Sequence, residues 1–387
     1  MDPSKITVCG GGNGAQTLLT IAASSLSCPV DLYAPFADEA ERLQAGLAEQ
    51  GTLRITGALE AQGRPRRTSR DPAEVIPGSE LVVLVLPAFA HEVTLRQIAP
   101  FLSRGAWVGA MPARGGFDYC ALRVLQDTGR PDIRLFGLQT LPWACRIRNY
   151  GRVVDILGVK KVVDAACRPT KQMDEIAPVL ERILGLPVAS AGSFLALTLA
   201  NTGQLIHPGI MYSLFACWDG TPFEAPPLFY QGLDQEGAQI LAGLSDEVQV
   251  LRQTLADQLD LSAVRPLKDW LIYSYGQAIA NPSTLQTAFV TNRAYAGLRA
   301  PMREVAPGQL VPDFYARYLA EDVPFGLAVS RAIAALAQVD TPTIDRVISW
   351  AGARLGRDYL GRDATEARIP QNYGFDNLCQ LLALAKE

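Results

Sequence analysis

Two histidines, His91 and His207, are the whole complement of this 387-residue chain. Imidazole is the side chain best matched to proton transfer near neutral pH, so any such chemistry that uses histidine falls to one of them. His207 stands in Asn201-Thr202-Gly203-Gln204-Leu205-Ile206-His207-Pro208-Gly209. Pro208 biases the residue before it away from helix, so a break in the helical pattern is expected at His207. An imidazole turned out by that break would serve as acid and base; a hydrogen-bonded core histidine accounts for the residues equally well. His91, in Pro87-Ala88-Phe89-Ala90-His91-Glu92, follows an apolar run. Its simpler reading is a polar residue in the first turn of a helix; contact with a ligand at the sheet edge is the alternative.

A histidine that moves protons usually needs a carboxylate to fix its tautomer and offset its charge. Spacing does not choose one, but setting singles out Asp322, within Phe314-Tyr315-Ala316-Arg317-Tyr318-Leu319-Ala320-Glu321-Asp322-Val323-Pro324-Phe325-Gly326. Aromatics, an arginine and a Pro–Gly break surround it. It is either part of a site or a plain helix-end carboxylate.

A second constellation lies at the start, Val8-Cys9-Gly10-Gly11-Gly12-Asn13-Gly14-Ala15. Gly10, Gly12 and Ala15 occupy the three places of the G-x-G-x-x-G/A fingerprint. The first allows a tight turn, the second lets backbone N–H groups approach a pyrophosphate, and the third permits close helix–strand packing. A glycine-rich turn without a ligand is the alternative, but this one follows a strand and opens a helix. Asn13 and Gly14 complete the candidate loop. The acid that usually takes the ribose hydroxyls is missing from the end of the second strand, which reads Leu32-Tyr33-Ala34-Pro35-Phe36 with no carboxylate before Asp38. No arginine stands there for a 2′-phosphate either, Arg42 being a helical turn further on. NAD is favoured over NADP.

The elements that must position these residues follow from periodicity. Strands are expected at Lys5–Cys9, Val30–Tyr33, Leu81–Leu86, Trp107–Met111 and Ile133–Leu138, with helices at Gln16–Ser25 and Asp38–Glu49. Leu81–Leu86 is apolar at every position, as in a parallel strand buried on both faces. Strand–helix alternation argues for a doubly wound, Rossmann-type α/β domain over 1–189. From about Ala189 strand-like runs cease and helical patterns such as Asp246–Leu259 and Ala328–Ala337 take over, punctuated at Pro226–Pro227, Pro301 and Pro307–Gly308. A mainly α-helical domain is expected over 190–387.

Composition bounds the function. Hydrophobic residues make up 49% and charged residues 19%, with a net charge of −4, ample for two cores. No basic block suits nucleic acid, and no apolar run reaches the roughly 20 residues of a membrane helix. The seven cysteines, an odd number without CxxC spacing, read as reduced thiols in a cytoplasmic protein with no metal site. The opening residues lack the form of a signal peptide. No heptad argues for an obligate oligomer, and a monomer is expected.

The segments VCGGGNGA, ADEAER, LPWACR, NTGQLIHPGIMY and RYLAEDVPFG, in that order and spacing, resemble the octopine dehydrogenase family, especially its invertebrate pyruvate-using members. The resemblance runs from the first strand to about residue 330. It implies NADH-dependent reductive condensation of an α-keto acid, typically pyruvate, with an amino acid. His207 matches the family's catalytic histidine and Asp322 its partner. Arg317 matches an arginine resembling a cofactor-pyrophosphate clamp, though an i,i+4 pair with Glu321 is its ordinary role. Arg146 would bind a substrate carboxylate, Asn201 would place substrate near His207, and Trp270 would wall the amino-acid pocket if it is not simply core. Gln139 stands where octopine-forming enzymes are expected to carry an acid. A buried guanidinium without a counter-charge is costly, so taurine, alanine, glycine or β-alanine fit better than arginine.

Two other readings compete. A ketopantoate or glycerol-phosphate type reductase would need a catalytic lysine in the helical domain, where Lys268 is the realistic candidate. A non-catalytic NAD sensor would need neither group.

Overall fold

The computed structural model describes residues 3–361 and 364–387. The chain forms two compact units. The first holds the chain up to Ala113, Phe117–Leu197 and Glu387; the second holds Arg114–Gly116 and Thr198–Lys386.

Among the described residues fourteen strands occur in chain order: β1 (Ile6–Cys9), β2 (Val30–Tyr33), β3 (Leu53–Gly57), β4 (Ala61–Gly63), β5 (Thr68–Ser69), β6 (Leu81–Leu84), β7 (Trp107–Ala110), β8 (Arg134–Leu138), β9 (Trp143–Asn149), β10 (Val153–Val159), β11 (Val163–Arg168), β12 (Val188–Ser190), β13 (Met302–Ala306) and β14 (Gln309–Pro312). The first unit is built on an eight-stranded sheet ordered β12-β11-β8-β7-β6-β1-β2-β5. From β5 to β8 every pairing is parallel, and β11 joins β8 antiparallel. Strand order reverses between β2 and β6, on either side of β1. Ligands bind at such a switch point in doubly wound sheets, beyond the carboxyl ends of the strands.

Every residue of β1, β2, β6 and β7 is buried; β6 is apolar throughout, while Thr7 of β1 bonds Ser79 and the Val75 carbonyl, and Asp31 of β2 pairs with Lys5 and Arg66. Helix α1 (Asn13–Ser25) leaves β1 through the glycine loop, and α2 (Glu39–Gln50) follows β2. The expected α/β class, strands and helices are therefore present, with ends shifted by up to three residues. A second sheet, ordered β4-β3-β10-β9, went unanticipated. Its β9–β10 hairpin packs on α1 through two polar links. The Ile147 N–H donates to Asn13 Oδ1 at 2.8 Å, and the Gly151 N–H to Gln16 Oε1 at 3.2 Å.

The second unit is mainly helical. Helix Gly203–Phe215 packs on Gln235–Leu255 and Pro342–Leu355. Three expectations need correction. The helix expected over Asp246–Leu259 begins eleven residues earlier and stops at Leu255, because Asp234 caps it by accepting the Gly237 N–H at 2.7 Å. The unit is not free of strands: β13 and β14 form an antiparallel hairpin about Pro307–Gly308. Gly308 has φ +72°, and Pro followed by a left-handed Gly is turn chemistry, here closing a hairpin and not separating helices. Nor is there a break at His207. The helix runs through Pro208, although Pro forgoes one ladder hydrogen bond there. Burial of Leu205, Ile206, Ile210 and Met211 outweighs the local preference.

Candidate active site

The glycine loop in the first unit has the shape a dinucleotide requires. Gly10 adopts φ +121°, and a Cβ there would stand 2.6 Å from the Val85 carbonyl oxygen; only glycine fits. A Cβ on Gly12 would meet nothing within 4 Å, so the backbone entering α1 is open to a phosphate at the positive end of the helix. Gly14 faces Leu141 and Val85 closely, and Ala15 is fully buried under the sheet. Asn13 is partly committed, since its side-chain oxygen already accepts the Ile147 N–H.

In the second unit His207 and Asp322 meet. Nδ1 of His207 lies 2.7 Å from Oδ2 of Asp322. An ionised carboxylate only accepts, so Nδ1 carries a proton, and in the neutral imidazole Nε2 keeps its lone pair. At Nε2 the Tyr230 hydroxyl lies 3.1 Å away and donates to it. Burial first, then the neighbouring Tyr318 and Tyr275, push the Tyr230 phenol well above its ordinary range, so it stays a neutral donor. Tyr318 stacks on the imidazole with centroids 4.1 Å apart and planes 11° from parallel. The ring is held at both nitrogens and on one face, with 18% of the side chain exposed.

Asp322 is reached from an unusual turn. Helix Arg317–Ala320 gives way to a wide π-type turn over Val323–Leu327, in which the Leu327 N–H bonds the Asp322 carbonyl at 2.9 Å. Such turns recur at functional sites. The two adjacent carboxylates, Glu321 and Asp322, are both buried, and each finds an arginine. Arg114 brings its guanidinium 2.8 Å from Asp322 Oδ1 and 3.5 Å from Glu321 Oε1. Arg317 hydrogen-bonds Glu321 as its i,i+4 partner while its own side chain stays 57% exposed. Burial works to lower the Arg317 pKa, but the Glu321 charge and hydrogen bond outweigh it and the net shift is upward.

Asn201 is buried beside this cluster. Its Oδ1 accepts from Arg114 at 3.1 Å, and its Nδ2 has no hydrogen-bond partner among the described residues. Trp270 is buried and linked edge-on to Tyr275, which meets Tyr295, which stacks on Tyr230 at 4.0 Å. It thus stands behind the tyrosines and not on the imidazole. Lys268 is half-buried two residues before it. Gln139 and Arg146 belong to the first unit: Gln139 is buried after β8, and Arg146 is exposed on β9 opposite Asp155. His91 opens helix His91–Ile98, fully buried, with Nε2 3.2 Å from the Leu86 carbonyl oxygen; its plain structural reading holds.

Arg114, Tyr230 and Tyr318 were not singled out from sequence. The signal for Arg114 was its place in Met111-Pro112-Ala113-Arg114-Gly115-Gly116, directly after a buried parallel strand, where sites collect in this fold.

Loop, sheet and buried His–Asp pair define a nicotinamide-dependent dehydrogenase. Comparison with known proteins narrows the class. Residues 190–355 match the model of the NAD/NADP octopine/nopaline dehydrogenase α-helical domain. The chain is 36% identical to an octopine dehydrogenase of Mizuhopecten yessoensis over 99% of both chains. It is 34% identical to a tauropine dehydrogenase of Arabella iricolor, over 97% of this chain and 99% of that one. A solved octopine dehydrogenase described with NADH and pyruvate is 34% identical, with TM-score 0.81 over 99% of this chain and 98% of the other. The chain belongs to the octopine dehydrogenase family. It is an NAD-dependent oxidoreductase of the kind that acts on CH–NH groups. Among the described residues no helix is long and apolar enough to cross a membrane.

Proposed function

We propose that this protein condenses pyruvate with the amino group of a small, neutral amino acid and reduces the product to an N-(carboxyalkyl) amino acid. The observation that carries the reading is the His207–Asp322 hydrogen bond, backed by Arg114. Residues 1–189 serve the nucleotide and residues 190–387, joined by Arg114, the acid–base chemistry. NADH, when bound at the loop Gly10–Ala15, supplies the hydride that reduces the imine carbon.

The chain's own residues handle protons and charge. Nε2 of His207, once the Tyr230 hydroxyl yields it, takes a proton from the incoming ammonium, leaving a free amine to attack the keto carbon. The same nitrogen passes that proton to the keto oxygen, then takes a second from the carbinolamine nitrogen and delivers it to the hydroxyl, which departs as water and leaves the protonated imine. Asp322 holds Nδ1–H throughout and offsets the imidazolium charge, while Arg114 lies against its other oxygen at 2.8 Å. Asn201 offers its unpartnered amide N–H to a substrate oxygen. Arg146 is assigned a substrate carboxylate, Trp270 the back of the amino-acid pocket, and Arg317, still largely exposed, the cofactor pyrophosphate. Gln139 favours taurine, alanine, glycine or β-alanine because it lacks a charge to pair with a guanidinium. We place the protein in the cytoplasm as a monomer; its seven cysteines are free thiols, Cys217 and Cys379 exposed among them.

Mass spectrometry of reactions containing NADH, pyruvate and one amino acid tests the proposal. A secondary-amine product with a neutral amino acid is expected; exclusive product from arginine would overturn the substrate assignment.

A further inference from the structure

The acid missing from the end of β2 has a replacement. After Tyr33 the chain runs to Ala37, which takes φ +44°, and α2 then begins at Glu39. Asp38, the first carboxylate in the sequence here, is 67% exposed and pairs loosely with Arg42 at 3.6 Å. Glu39 turns the other way, onto the glycine loop. A Cβ on Gly11 would lie 2.7 Å from Glu39 Oε2 and 2.6 Å from the Tyr150 hydroxyl, so a side chain there would push both groups off the loop. Glu39 Oε2 is buried with no hydrogen-bond partner among the described residues. Burial pushes the Glu39 pKa up, against the pull of the Gly11 N–H and of Arg42. Arg42 lies 4.0 Å over the Tyr150 ring.

We propose that Glu39 selects NADH over NADPH: its carboxylate, laid against Gly11, receives the vicinal hydroxyls of the adenosine ribose and repels a 2′-phosphate. The fold sets that ribose next to the first turn of the glycine loop, and an acid there normally accepts its hydroxyls. A diol has two O–H donors for a carboxylate that is short of one. A phosphate brings only acceptors and negative charge. Arg42, held by Asp38 and Tyr150, is the cation a 2′-phosphate would meet once Glu39 were neutral.

The inference rests on Gly10–Ala15 being the nucleotide loop, and the experiment separates the two claims. NADH and NADPH are titrated into wild-type protein, Glu39→Gln, Glu39→Ala and Gly10→Ala, following nicotinamide fluorescence without substrate, with circular dichroism confirming the fold. Hydrogen bonds to charged groups contribute about 1.5–3 kcal/mol, so Glu39→Gln should weaken NADH roughly 10- to 100-fold. NADPH should bind as well or better, collapsing the preference. Equal weakening of both cofactors, or an unchanged ratio, would overturn the role of Glu39 and leave it a loop support. Undiminished NADH affinity in Gly10→Ala would overturn the loop, and Glu39 with it.

Discussion

The guanidinium of Arg114 lies 2.8 Å from Oδ1 of Asp322, whose other oxygen holds Nδ1 of His207 at 2.7 Å. One carboxylate thus joins a permanent cation to an imidazole. Without Arg114 two adjacent acids, Glu321 and Asp322, would share a buried turn one cation short.

Replacing Arg114 by Ala should therefore damage both fold and rate. Removing one partner of a buried ion pair costs about 3–5 kcal/mol, readable as a large drop in melting temperature. Arg114→Lys should recover part of the stability and of kcat. Equal kcat in wild type and Arg114→Ala would show that the cation plays no part in positioning Asp322.

Tyr230→Phe removes the hydroxyl that pins Nε2 while keeping the ring against Tyr295. A loss of about 1 kcal/mol in stability is expected for one buried hydrogen bond. Loosening of the imidazole should lower kcat about tenfold with little change in KM. Steady-state kinetics beside thermal melts measure both; an unchanged kcat would mean that the contact matters only to the resting enzyme.

Asp132 provides a pH test of the first unit. The Arg130 hydrogen bond, with the Gly105 N–H, outweighs burial and holds its pKa at about 2, against an ordinary value of 3.8. A depressed folded pKa stabilises the fold fully above the unfolded value. That contribution fades as pH falls from near 4 toward 2. Asp132→Asn should melt below wild type at pH 7, and the gap should close in acid. A gap that persists at pH 2 would assign the loss to packing.

Legibility in the sequence followed how local each constraint was. Gly10 was readable because a tight turn against Val85 admits no side chain. β6 was readable because burial on both faces leaves only apolar residues. His207 stood out by rarity, and its link to Asp322 came from the family resemblance. Arg114 was hidden because its partner Asn201 is 87 residues away, and no periodicity encodes such a pair. Pro208 misled for the opposite reason: a real local preference was overruled by the packing of the whole helix. Glu39 was hidden because it lies in the first turn of α2, past the bend at Ala37, and not at the strand end where the ribose acid ordinarily stands.

Steady-state NADH consumption by wild type, His207→Ala and Lys268→Ala, with pyruvate and an amino acid supplied separately and together, tests the central claim most directly. Consumption should require both substrates. It should fall about 10²- to 10⁴-fold in His207→Ala, the usual weight of acid–base catalysis, and survive in Lys268→Ala. Turnover with pyruvate alone, or loss in Lys268→Ala with His207→Ala intact, would contradict it.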